Sequence, residues 1–382
     1  MKQLFISSAI ALLTTCIACF ETKAQVTLSA QLRTRSEFRD GQGAPLPKGA
    51  PSAFFTSQRS RINLLFNRSR LKLNFTLQDV RVWGQDVSSI NRVNLQENNS
   101  LLTHEAWAEI LLSDTAIKTK AFSLKIGRQE LVYDDQRLLG NLDWLQQGRR
   151  HDAAVLKYET PKWLLHAGGA FNQNKEAVSG IVYNNSTPTG YAATTNGGAM
   201  YKSMEFLYAQ KKLNKGALSF LFFADQFNQY NNDTISGVAQ KKYLDKVWSR
   251  ATTGFYFTKA FGNANITAST YYQFGTNAVS QKVDAHMANL SLLYTFGKLT
   301  AGPGVDYTSG STTNAGRAFD PLYGTPHKFW GLMDYFYAAS SFGKGGLLNY
   351  YVKSKYAAGK NVTLTADAHL KLQITTILTD KS

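Results

Sequence analysis

The feature that most constrains this chain is a strict alternation of apolar and polar side chains. It is sustained for about ten residues at a time and repeated almost from end to end. In VTLSAQLRTR, Val26, Leu28, Ala30 and Leu32 share one face, and Thr27, Ser29, Gln31, Arg33 and Arg35 share the other. In RLKLNFTLQ, Leu71, Leu73, Phe75 and Leu77 alternate with Lys72, Asn74, Thr76 and Gln78. ANITASTYYQF, ANLSLLYTF and VTLTADAHLKLQ follow the same rule. A period of two places successive side chains on opposite faces of a strand. One continuous apolar face and one continuous polar face over that length suit a strand standing between lipid and a watery interior. A soluble sandwich also alternates, but its strands are usually shorter, about 5–6 residues.

The connections favour the membrane. Sixteen strands are expected, near 26–39, 55–67, 70–83, 102–112, 120–130, 151–159, 162–172, 200–212, 216–228, 246–258, 264–275, 284–296, 299–309, 327–339, 346–356 and 361–373. Short links such as TPK and GKL alternate with long stretches at 84–101, 131–150, 173–199, 229–245 and 310–326, rich in Asn, Gly, Ser and Thr. Turns at one rim and loops at the other are the pattern of an outer-membrane barrel. The expected fold class is therefore all-β, a transmembrane antiparallel β-barrel. Tryptophans 83, 107, 163, 248 and 330 fall near strand ends, where an interfacial girdle is expected, and Trp144 falls in a loop.

The N-terminus supplies the route of export. Lys2 precedes the mostly apolar Leu4 to Phe20, and Thr22-Lys23-Ala24 offers a small residue for cleavage. Residues 1–24 are expected to be a signal peptide. Both cysteines, Cys16 and Cys19, lie within it, so the remaining chain needs no disulfide. Without Lys2, Lys23 and Glu21, 40 basic side chains face 25 acidic ones, a net charge of +15. Such an excess points to an anionic partner, either acidic polysaccharide or lipid headgroups, and export sets nucleic acid aside.

One stretch breaks the alternation. In KIGRQELVYDDQRLLGNLDW, residues 125–144, the face that carries Leu124 and Ile126 continues with Arg128 and Glu130. A tilted strand needs only about 9–11 residues to cross the hydrocarbon, so a strand starting near Lys120 has left the lipid belt by this point. A bulge at Gly127 would instead turn Arg128 and Glu130 into the lumen. The following Asp134, Asp135, Arg137 and Asp143 form a charged loop that could fold inward, and for the first three a solvated loop with internal ion pairs is the alternative.

The stretch KIGRQELVYDDQRLLGNLDWLQQGRRHDAAVLKY resembles the alginate export family of outer-membrane porins. SQRSRINLLF at 57–66, LQDVRVWGQ at 77–85 and AFDPLYGTPHKFWGLMDYF at 318–336 support the match. The resemblance implies an 18-stranded monomeric barrel whose arginine-rich lumen passes an anionic uronate polymer. Sixteen expected strands are two fewer. The chain also ends in LQITTILTDKS without a terminal aromatic residue, so a missing C-terminal pair is expected.

Alternation nominates the lumen residues. If Ile62, Leu64 and Phe66 face lipid, Arg59 and Arg61 face inward, and by the same logic so do Arg33, Arg35, Glu105, Glu109 and Arg250. The resemblance adds Arg81, Arg128, Glu130, Arg149 and Asp152. Guanidinium forks suit carboxylates, and a polyanion pore needs fixed positive charge with binding weak enough for release. The same arginines and acids could equally neutralise one another in a polar interior. No cofactor is called for. The six histidines show no metal-ligand spacing, and Asp134-Asp135 is the one acidic pair that a calcium ion could use. The expected function is passive, anion-selective passage of anionic oligo- or polysaccharides, with no enzyme chemistry. The alternatives are a general small-solute porin with anion bias, a non-conducting surface binding barrel, or a barrel enzyme acting on lipid or peptide. Periplasmic partners are left open.

Overall fold

The computed structural model describes residues 25–41, 46–84, 101–173, 176, 178–183, 200–235, 237–311, 313–331 and 345–374. The expected signal peptide, the last eight residues and most of the stretches at 84–101 and 173–199 lie outside them. Fifteen strands form one antiparallel sheet in chain order. They are β1 (Gln25–Arg39), β2 (Ala53–Arg68), β3 (Leu71–Val82), β4 (Leu101–Leu111), β5 (Ala121–Gln129), β6 (His151–Glu159), β7 (Trp163–Phe171) and β8 (Ser203–Leu213). The rest are β9 (Gly216–Ile235), β10 (Val238–Phe261), β11 (Ala264–Thr276), β12 (Lys282–Phe296), β13 (Leu299–Thr308), β14 (Gly346–Ala357) and β15 (Thr363–Ile374).

The polarity of this sheet is inverted relative to a soluble protein. Leu28 and Leu32 are each 70% exposed, whereas Arg59, Gln78, Asp225, Thr252, Gln273 and Asn349 are fully buried. Apolar residues outside and polar ones inside are what a lipid surround demands, with every ladder hydrogen bond kept within the sheet. No described helix is long and apolar enough to cross a membrane.

The sheet wraps around two inward loops, 131–150 and 309–330. Arg33 and Arg59 of β1 and β2 bind the first loop, and so do Tyr208 of β8 and Ser219 of β9. Gln273 of β11 binds Asp320 in the second loop, Asp306 of β13 binds Arg137 in the first, and Lys371 of β15 donates to the Trp330 carbonyl. Strands spread along the whole ladder thus reach the same central segments, which describes a barrel with a filled middle. The two loops join each other. Gly140 N–H donates to the Tyr323 carbonyl and Tyr323 N–H to that of Leu138, each at 3.0 Å. Leu138, Leu139, Phe319, Leu322 and Tyr323 then pack with Met204, Phe206, Phe223, Ala285 and Met287 as a hydrophobic core inside the barrel.

Fifteen of the sixteen expected strands are present. The exception is 327–339. Here Pro326–Lys328 is a 3-10 turn, Phe329 and Trp330 are buried, and β13 pairs directly with β14. The aromatic start of this segment, Phe329 and Trp330, is buried inside the barrel rather than paired in the sheet. Its residues 332–339 lie outside the described set. The expected loop at 229–245 is also corrected, since β9 and β10 continue through it as a hairpin. Tyr230 packs on Tyr243 at 5.8 Å, and a register shift falls between Tyr243 and Val247. Trp83 and Trp163 are exposed as a girdle requires, but Trp330 is buried and Trp107 faces the lumen.

Candidate functional site: an arginine cluster over a polar chamber

Register builds the site. Opposed residues in an antiparallel pair share a face, and β1 meets β2 with Gln31 opposite Arg61, Arg33 opposite Arg59 and Arg35 opposite Ser57. β2 meets β3 with Arg61 opposite Gln78 and Asn63 opposite Thr76. Alternation therefore stacks four arginines on the inner wall of two neighbouring strands. Like charges at this spacing need compensation, and loop 131–150 supplies it. Asp143 receives Arg59 Nη1 at 2.8 Å, Arg61 Nη1 at 3.0 Å and Arg33 Nη1 at 3.9 Å. Arg33 also donates to the carbonyls of Asp143 and Leu145, both at 2.7 Å, and Arg35 to that of Trp144 at 2.8 Å. Gln31 caps Arg59 at 2.6 Å, and Gln78 caps Arg61 at 2.5 Å.

Burial raises the Asp143 carboxyl's pKa, but the Arg59 hydrogen bond and the charges of Arg59, Arg61 and Arg33 outweigh that. The group is held below the usual carboxylate range. Three guanidiniums on one carboxylate leave the cluster net positive. Arg59 is buried and Arg61 is only 14% exposed, so the lumen meets the cluster through Arg33 and Arg35, at 28% and 30%, and through the Asp143 carboxylate, at 40%.

Below the cluster, toward the short turn at 69–70, lies a chamber of about 730 Å³ bounded by β1–β4. Arg61, Glu105 and Glu109 line it, as does Trp107. Glu109 is held by Lys157 at 2.8 Å and by Ser123 at 2.9 Å. Glu130 is inward, between His104 Nε2 at 2.9 Å and Asn141 Nδ2 at 2.8 Å.

The other nominated residues separate into two groups. Arg149 and Arg250 are buried on the filled side. Arg149 donates to the Gly324 carbonyl at 2.5 Å, and Arg250 grips Asp225 at 2.6 and 3.0 Å and Asp320 at 2.6 Å. Arg81, Arg128 and Asp152 point outward, contrary to expectation. Arg81 shares the face of Phe75 and Leu77 and forks onto Asp79 at 2.7 Å. Arg128 shares the face of Ile126 and meets Asp152 on β6 with two bonds of 2.8 Å. β5 keeps its register through Gly127 on both sides, so no bulge turns Arg128 inward. The irregularity falls at His104, opposite the Thr76–Leu77 step. Where the outward face has risen above the hydrocarbon, charge is tolerated if paired, and that answers why an arginine follows an isoleucine there.

Alternation already sets Gln31 and Gln78 on the arginines' face, and register makes them their partners. Asp143 belongs to the loop that could fold inward, but it lies 84 positions from Arg59, and no local signal marks it as the shared counter-ion. Of the acidic loop pair, Asp134 is taken by Tyr208 and Ser219, and no cluster of three metal-ligating side chains occurs among the described residues.

A lipid-facing sheet around a polar, partly filled lumen with a part-buried basic cluster on its wall defines an outer-membrane β-barrel channel. A family model for alginate export matches residues 24–339, and the chain belongs to that family. It resides in the Gram-negative outer membrane. Among solved structures it is similar to OpdL of Pseudomonas aeruginosa, at 15% identity and TM-score 0.51, covering 90% of this chain and 80% of that one. It is also similar to a loop L8 deletion mutant of OmpT, an outer membrane protein of Vibrio cholerae. That match has 10% identity and TM-score 0.50, covering 93% and 95% of the two chains. These likenesses concern the fold. No curated protein matches the sequence.

Proposed function

We propose that this channel passes anionic oligo- or polysaccharides passively, selecting them by the cluster of Arg33, Arg35, Arg59 and Arg61. The observation that carries this reading is the shared counter-ion. Three of the four arginines converge on the single carboxylate of Asp143, so the wall keeps positive charge while its guanidinium forks stay ordered. An ordered fork loses less entropy on meeting a carboxylate than a free side chain does. Family membership supports a uronate-rich solute. The channel acts as a monomer, with lipid as its other partner, and no described constellation asks for enzyme chemistry.

The test is the zero-current potential of the purified protein in planar bilayers across a KCl gradient. Wild type is expected to prefer chloride, and Arg59→Ala/Arg61→Ala to lose most of that preference. Cation preference in wild type would sink the anionic-solute reading and leave the barrel standing.

A further inference from the structure

The chamber under the arginine cluster has a different chemistry from the cluster itself. Its lining carries Arg61 and Lys72 beside the acids Glu105 and Glu109, with Lys125 over Trp107 and Lys157 on Glu109 behind them. Amides dominate the rest of its polar wall. Gln31, Asn63, Asn67 and Asn74 all face it, from three adjacent strands. Some of this polarity is spent within the wall, as Thr76 donates to Asn63 Oδ1 at 2.7 Å and Trp107 Nε1 to Glu105 at 3.1 Å. The amide nitrogens of Gln31 and Asn63 donate to no protein group among the described residues, and the Asn67 amide has no partner there either.

Trp107 is the chamber's one large aromatic side chain, and Lys125 Nζ sits 4.0 Å from its ring centroid. A tryptophan on a lumen wall is out of place as an interfacial anchor. It offers an apolar plane with a polar edge. The volume lies within the roughly 300–1,000 Å³ typical of small-molecule sites. A flat apolar surface surrounded by amides and carboxylates matches one class of solute, a sugar ring, whose C–H face packs on an aromatic plane while its hydroxyls both donate and accept.

We propose that the chamber of Trp107, Gln31, Asn63, Asn67 and Glu105 is a binding subsite for an uncharged sugar ring, read through its hydroxyls. It stands apart in ligand chemistry from the arginine cluster above it. The inference rests on the reading of the channel as a saccharide conduit. It adds that neutral saccharides bind there as well as acidic ones.

The experiment is block of single-channel current by two probes, maltotriose and a mannuronate trisaccharide. Both are expected to give resolved blocking events in wild type. Trp107→Ala and, separately, Asn63→Ala/Asn67→Ala should shorten the maltotriose dwell about tenfold, as expected for losing one aromatic platform or a pair of hydrogen bonds. Trp107→Phe should retain most of it. Arg33→Ala/Arg35→Ala, at cluster residues that do not line the chamber, should shorten only the mannuronate dwell. The inference is overturned if maltotriose does not block wild type, or if its dwell is the same in the chamber variants. Should Trp107→Ala fail to assemble, the asparagine pair carries the test alone. Block by maltotriose without block by mannuronate, in a cation-preferring channel, would refute the anionic reading while the subsite stood.

Discussion

At the scale of single residues, Asp143 sets how much of the arginine charge a solute can feel. Its carboxylate is the acid that Arg33, Arg59 and Arg61 share, so neutralising it raises the local net charge by one. Two unit charges about 4 Å apart interact by roughly 4 kcal/mol at the effective dielectric of a protein surface. Asp143→Asn should therefore move the reversal potential further toward chloride, opposite in sign to Arg59→Ala/Arg61→Ala. Because the carboxyl's pKa is held low, the staple is intact above the ordinary carboxylate pKa and is lost only as pH falls below it. Selectivity measured between pH 5 and pH 8 should accordingly be flat as far as this group is concerned. Gly127 carries a different constraint. Its φ of +120° and its backbone's approach to the Ala106 carbonyl leave no room for a side chain. Gly127→Ala should cost about 1–3 kcal/mol, read as a lower urea midpoint for unfolding.

At the scale of elements, loop 131–150 is pinned at two points with opposite pH behaviour. Asp143 binds β1 and β2. Asp134 accepts from Tyr208 at 2.8 Å and from Ser219 at 2.6 Å, on β8 and β9. Burial raises the Asp134 carboxyl to about 6, despite the lowering effect of those two hydrogen bonds. An acid with a raised folded pKa favours the docked loop most at low pH, and that contribution is lost as pH rises from about 4 through 6. Asp134→Asn should therefore flatten the pH dependence of thermal unfolding between pH 4 and pH 7. The strands on either side of this loop were legible in the sequence because a period of two is a local signal that lipid enforces. The loop's destination was not legible. Its two pins join residues 74 to 110 positions apart, and nothing in DDQRLLGNLDW distinguishes an inward fold from a solvated one. Arg81, Arg128 and Asp152 lie outward for a different reason. Their inward placement follows from the family resemblance, whereas alternation sets Arg128 on the outward face of Ile126, and strands that outrun the hydrocarbon carry paired charges on that face.

At the scale of the whole molecule, the lumen is divided lengthwise, and that division decides where a solute can pass. On the side of β8, β9 and β12, the two loops bury Tyr201, Phe223, Phe319 and Tyr323 as a packed core, with Arg250 and Arg137 consumed by buried carboxylates. On the side of β1–β4, the arginine cluster stands over the chamber, whose wall is mostly polar side chains around Trp107. The same inward alternation thus produces a core on one side and a conduit on the other. The difference lies in which strands the loops lean on. Adding bulk should then have opposite consequences on the two sides. Asn63→Trp intrudes on the chamber and should lower single-channel conductance severalfold while leaving unfolding little changed. Ala285→Phe forces bulk into a site with no exposed surface, where overpacking costs about 1–3 kcal/mol. It should lower thermal stability yet leave the conductance of the channels that do insert unaltered. If Ala285→Phe closed the channel and Asn63→Trp did not, the solute path would run through the side that the structure shows filled, and the arginine cluster would lose its place on it.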